Sequence, residues 1–80
     1  MYAIVDIETT GGIAHNNKII DIAIYIHDGK RVVGKFSSLI NPERSIPKQI
    51  TSLTGITNEM VENAPKFYEV AKQVYELTHD

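Results

Sequence analysis

The sequence predicts an α/β fold, a three-stranded antiparallel sheet followed by helices. Three observations carry that expectation. Residues 2–8, 18–27 and 31–40 are rich in apolar and β-branched side chains. Asp28-Gly29, a strong two-residue hairpin signal, separates the second run from the third. Beyond Pro47 the apolar residues switch to the three- and four-residue spacing of helices.

Residues 2–8 read as a buried strand, Tyr2-Ala3-Ile4-Val5 leading into Asp6-Ile7-Glu8. Successive strand side chains alternate faces, so Asp6 and Glu8 point the same way, roughly 6–7 Å apart. Gly11 and Gly12, with Ala14-His15-Asn16-Asn17, form a loop. Lys18 to His27 is the second strand, with Ile20, Ile22, Ile24 and Ile26 on one face and Asp21, Ala23 and Tyr25 on the other. Arg31 to Ile40 returns antiparallel and ends at Asn41-Pro42.

Ser45-Ile46-Pro47 opens a helix, with Pro47 in its first turn. Ile50, Leu53 and Thr54 keep its spacing, and Gly55 stops it. Thr57 caps a short helix through Met60-Val61. After Ala64-Pro65, the stripe Phe67, Val70, Ala71, Val74 and Tyr75 reads as core packing on a last helix. These elements cover one face of the sheet and leave the first strand with an unpaired edge.

The chain has 80 residues, and eight Lys and Arg stand against ten Asp and Glu, a net charge of −2. That balance argues against a tight, non-specific duplex binder, which needs a basic excess. It does not exclude an enzyme that grips a strand end through bound cations. There is no cysteine, so disulfides and thiolate metal sites are excluded, and a reducing cytoplasm is the expected location. No apolar run reaches the length of a membrane span, so no membrane association is expected.

Two carboxylates side by side on an apolar strand are costly unless cations or hydrogen bonds compensate them. Divalent ions are the usual compensation, and two-metal nucleases are built in this way. Mg²⁺ or Mn²⁺ suits such a site of carboxylates and water. Judged by spacing alone, solvent-facing acids on a half-exposed strand explain Asp6 and Glu8 at least as well.

The surrounding residues add to that choice. Asp6-Ile7-Glu8-Thr9-Thr10-Gly11 resembles the first motif of the DEDD superfamily of 3′–5′ exonucleases. Its context is similar to the branch containing the proofreading epsilon subunit of bacterial DNA polymerase III. Lys18-Ile19-Ile20-Asp21-Ile22-Ala23, Ile40-Asn41-Pro42, Ile46-Pro47 and Leu53-Thr54-Gly55-Ile56-Thr57-Asn58-Glu59-Met60-Val61 carry the likeness onward, as do Ala64-Pro65 and Phe67. It departs in small ways. Asp21 stands where relatives often carry glutamate, and Thr54 where they often carry histidine.

The resemblance implies a ribonuclease H-like exonuclease fold, a five-stranded mixed sheet flanked by helices. It also implies four acidic metal ligands and a general base. Asp6 and Glu8 match the first two acids, while the second and third motifs do not occur in this sequence. Residues 1–80 are therefore expected to be the N-terminal part of a single exonuclease domain, truncated to a three-stranded antiparallel sheet plus following helices and inactive alone. His79-Asp80 is not a substitute for the missing residues, and His15 and His27 read as solvated.

By the same resemblance, Asp6 and Glu8 are the catalytic metal ligands for two Mg²⁺ or Mn²⁺, Asp6 bridging both ions and Glu8 serving the one that activates water. Thr9, Thr10 and Gly11 would meet the terminal nucleotide through backbone amides, with Leu53 and Thr54 lining its pocket. Ordinary loop and helix roles are the alternative for each of these. The implied substrate is a single-stranded or frayed DNA 3′ end, cut to nucleoside 5′-monophosphates in proofreading or repair, with a DNA polymerase subunit as partner. An RNA-trimming exoribonuclease and a non-catalytic interaction module retaining the fold are the alternatives. The unpaired first strand predicts a homo-oligomer through the exposed sheet edge.

Overall fold

The computed structural model describes residues 1–11 and 17–79. Three strands, β1 Tyr2–Thr9, β2 Ile19–His27 and β3 Val32–Leu39, form one antiparallel sheet in the order β1-β2-β3. Three helices follow, α1 Lys48–Thr54, α2 Asn58–Val61 and α3 Phe67–Thr78. Element types and order are those expected, and the bounds agree within a residue or two. Pro47 is the N-cap of α1 and not part of its first turn.

The β2–β3 turn is centred one residue later than expected, on Gly29-Lys30. The Asp28 amide donates to the Arg31 carbonyl at 3.2 Å, and Gly29 takes a φ of 103°. The Asp28 carboxylate accepts from the amides of Lys30 (2.8 Å) and Arg31 (3.0 Å). An aspartate is best placed as the first residue of a turn, where it binds the amides ahead of it, and glycine then takes the positive φ. Those two amides, Lys30 before Arg31, hold the Asp28 carboxyl below its ordinary value, helped by His27.

The core has two parts. Ile22, Ile24, Ile40 and Val70 pack together, with Ile19, Ile26, Phe36, Val74 and Leu77 around them, and join the sheet to α3. Ile20 packs instead with Ile46, Ile56 and Val61, flanked by Leu39, Ile50 and Ala64. This corrects the single isoleucine stripe. The ladder slips from Glu8↔Asp21 to Thr9↔Ile19, leaving Ile20 as the extra residue of a bulge. A bulge re-aims side chains, so Ile20 turns toward the α1–α2 segment and Ile19 joins Ile22 and Ile24.

Two other expectations of burial are corrected. Tyr2 to Glu8 are all exposed, β1 being an edge strand with one neighbour among the described residues. The ends of the α3 stripe are exposed too, Phe67 at 40% and Tyr75 at 60%. Val70, Val74 and Leu77 carry the packing of that helix.

Side chains of small polar residues tie the connections. Gly55, with a φ of 81°, ends α1 in the left-handed conformation, its amide donating to the Thr51 carbonyl at 2.7 Å. The Thr57 hydroxyl caps α2 by accepting from the Met60 amide at 3.2 Å. Asn58 accepts from the Ile46 amide at 2.8 Å, which fixes α2 against the segment leading into α1. No helix among the described residues is long and apolar enough to cross a membrane.

Candidate active site

Asp6 lies opposite Ala23, and Glu8 lies opposite Asp21. Residues directly opposite in an antiparallel pair share a face of the sheet. Asp6, Glu8 and Asp21 therefore stand on the face turned away from Ile22 and Ile24. Asp6 and Glu8 are exposed, and neither makes an ion pair or a side-chain hydrogen bond among the described residues.

Asp21 was assigned no role from sequence, although it falls on the acid-bearing face of β2. The signal that finds it is the hairpin register, which needs the loop geometry as well as the alternation. No group of three or more His, Cys, Asp or Glu is arranged to hold a metal among the described residues. What the chain offers a hard cation is two uncommitted carboxylates, which fits part of an oxygen-ligand shell completed by other groups or water.

The segment after the acids is tied back on itself. Thr10 is 2% exposed. Its amide donates to the Lys18 carbonyl at 2.8 Å, and its hydroxyl accepts from the Lys18 amide at 3.1 Å. The Gly11 amide donates to the Thr9 hydroxyl at 3.1 Å. The amides of Thr10 and Gly11, expected to face a nucleotide, are thus engaged within the chain.

Gly11 has a φ of 76°, and a methyl group on it would overlap the end of the Ile50 side chain. Only glycine allows this approach without strain. The contact sets Ile50 of α1 against the segment that follows β1. Leu53, one turn along from Ile50, is 81% exposed. Thr54 is committed to the helix end: its hydroxyl donates to the Ile50 carbonyl at 2.8 Å and accepts from the Ile56 amide at 3.1 Å. Of the expected substrate contacts, the structure leaves Leu53 presenting open surface.

The two described histidines stand apart from this group. His27 is at the far end of β2, its ring stacked on Tyr2 and its Nδ1 accepting from the Gly29 amide at 3.0 Å. His79 stacks on Tyr75. His15, with Gly12, Ala14 and Asn16 of the expected loop, lies outside the described residues.

An exonuclease family model matches residues 3–80. This chain is a DEDD-family exonuclease sequence. It is 43% identical over 77 residues to the 3′-5′ exonuclease DinG of Bacillus subtilis, an alignment covering 95% of this chain and 8% of DinG. It is 40% identical over 65 residues to the DNA polymerase III subunit epsilon of Treponema pallidum, covering 81% of this chain and 30% of that one. Among solved structures, exonuclease X in complex with 5′ overhanging duplex DNA superposes with a TM-score of 0.82 at 31% identity, over 94% of this chain and 43% of exonuclease X. This DEDD sequence thus spans less than half the length of each of these three proteins.

Proposed function

We propose that Asp6 and Glu8 hold divalent cations for a 3′–5′ exonuclease domain that removes nucleoside 5′-monophosphates from single-stranded or frayed DNA 3′ ends. The observation that carries this reading is a pair of exposed, uncommitted carboxylates on one face of β1, in a chain matched to the exonuclease family over residues 3–80. Mg²⁺ or Mn²⁺ bound there supplies charge relief on the phosphoryl oxygens and an activated water. DNA is favoured over RNA as substrate by the likeness to exonuclease X, which was solved with DNA, and to a DNA polymerase III subunit.

The chain's own residues divide the remaining work. Asp6 and Glu8 place negative oxygens where cations neutralise a phosphodiester. The Thr10–Lys18 bonds brace the end of β1 so that these acids keep their position. Gly11 admits Ile50 of α1, and Leu53 on that helix offers an exposed apolar surface that can stack on a terminal base. With two acids, the chain by itself is expected to bind cations and a strand end without sustained turnover.

The test is fluorescence anisotropy of a single-stranded DNA oligonucleotide, in Mg²⁺ and in EDTA, with wild type and with Asp6→Asn/Glu8→Gln. Binding strengthened by Mg²⁺ in the wild type and not in the double variant is expected. Equal binding in all four conditions contradicts the cation site. Tighter binding of the matching RNA moves the substrate to RNA.

A further inference from the structure

The two acids of β1 have different neighbours across the ladder. Asp6 faces Ala23, a methyl group, with Ser37 beyond it on β3. Glu8 faces Asp21, with Leu39 beyond. Asp21 is half-buried between a like-charged side chain and an apolar one, with no ion pair or side-chain hydrogen bond among the described residues. A carboxylate so placed is costly unless a cation or hydrogen-bond donors compensate it. Its place is well fixed. β2 is bonded to a strand on each side, and the register with β1 is unbroken from Tyr2↔His27 to Glu8↔Asp21.

We propose that Asp21 is a positioning residue for the cation held at Glu8: it lies outside the ligand shell and accepts hydrogen bonds from water that this cation carries. Its role rests on the cation reading of Asp6 and Glu8. Residues directly opposite on one face have Cβ atoms about 4.5–5.5 Å apart, so one water can bridge the Asp21 carboxylate and a cation on Glu8. Asp6, Glu8 and Asp21 do not close around a single ion. Asp21, one methylene shorter than Glu8, keeps its oxygens nearer the sheet. Direct coordination is thereby left to the acids of β1. The Ala23 side chain has no polar atom, so Asp6 lacks an equivalent partner on β2. The outer carboxylate thus serves one side of the site, and it is the side of Glu8. Groups in this outer position orient what the ion binds and add to its affinity. For phosphodiester hydrolysis the consequence is a water held at Glu8 in one orientation rather than many.

Mn²⁺ binding by the chain, read from the electron paramagnetic resonance of the free ion, tests it together with water-proton relaxation by the bound ion. Asp21→Ala should weaken binding about tenfold or more, the loss typical of an outer-shell partner. Asp21→Asn, isosteric and freed of the like-charge contact, should shift in the same direction and guards against a folding defect. Glu76→Gln removes the same charge from α3, on the other face of the sheet, and should leave binding unchanged. Relaxation per bound Mn²⁺ should stay constant in both Asp21 variants, because the ion loses no ligand. It should rise in Glu8→Ala, where water fills the vacated position. Wild-type affinity in Asp21→Ala overturns the proposal. So does a rise in relaxation as large as that of Glu8→Ala, which makes Asp21 a direct ligand. An equal loss of binding in Glu76→Gln also overturns it, because the effect is then one of net charge. Asp6→Asn/Glu8→Gln separates the two readings. Binding that survives this double substitution removes the cation site itself, whereas binding lost there and untouched in Asp21→Ala removes only the role of Asp21.

Discussion

Glu8 and Asp21 face one another directly across the β1–β2 ladder, two acids on one side of a sheet with no basic residue paired to either among the described residues. Like charges in this position oppose strand pairing by about 0.2–1 kcal/mol. In cation-free, low-salt buffer, Asp21→Asn should therefore raise stability by an amount in that range. The gain should shrink with added salt, which screens exposed charges, and with Mn²⁺. Urea unfolding midpoints under the three conditions check this, and an unchanged midpoint in low salt contradicts the repulsion.

Gly11→Ala should be destabilising for two separable reasons. Its φ of 76° costs an alanine about 1–2 kcal/mol, and the added methyl meets Ile50. Adding Ile50→Ala should leave the first cost and relieve the second. Because the Gly11–Ile50 contact holds α1 against the residues that follow the acids, single-stranded DNA binding should weaken in Gly11→Ala more than the loss of stability explains. Anisotropy at a temperature where both proteins are folded is the check.

Thr10→Val keeps the shape of a buried side chain but removes the acceptor for the Lys18 amide. Leaving that amide unsatisfied should cost about 1–3 kcal/mol. Thr10→Ser should recover much of it. Hydrogen exchange at the Lys18 amide should accelerate in the valine variant and remain slow in the serine variant.

Asp28 gives a pH dependence with a definite sign. Its carboxyl is held below the ordinary 3.8 by the Lys30 and Arg31 amides. A lowered folded-state pKa contributes stability that is present above the unfolded value and lost as pH falls through the folded one. Asp28→Ala should thus be less stable than wild type at neutral pH, and the difference should close as pH falls through the lowered folded-state value. Denaturation midpoints at pH 6 and in strong acid test it, and a constant difference contradicts the turn bonds.

The elements of this fold were readable because each carries a local signal. Alternation marks β2, Gly55 marks the end of α1, and Thr57 marks the start of α2. Asp6 and Glu8 were placed together by strand periodicity alone. What escaped depends on partners distant in sequence. The bulge that takes Ile20 out of its stripe arises from pairing with β1 and has no signature within β2. The exposure of Val5 and Ile7 goes with the unpaired edge that was expected of β1, and it is the reading of residues 2–8 as buried that fails. Thr10 reads as offering its backbone amide to substrate until that amide is seen donating to the Lys18 carbonyl.

Paramagnetic broadening by Mn²⁺, followed amide by amide in solution NMR, reports most directly on whether Asp6 and Glu8 hold cations. Substoichiometric Mn²⁺ should first erase the signals of residues 6–8 and of Asp21 to Ala23 facing them, and Asp6→Asn/Glu8→Gln should restore those signals. Broadening centred elsewhere, or unchanged by the double substitution, would contradict a cation site on β1.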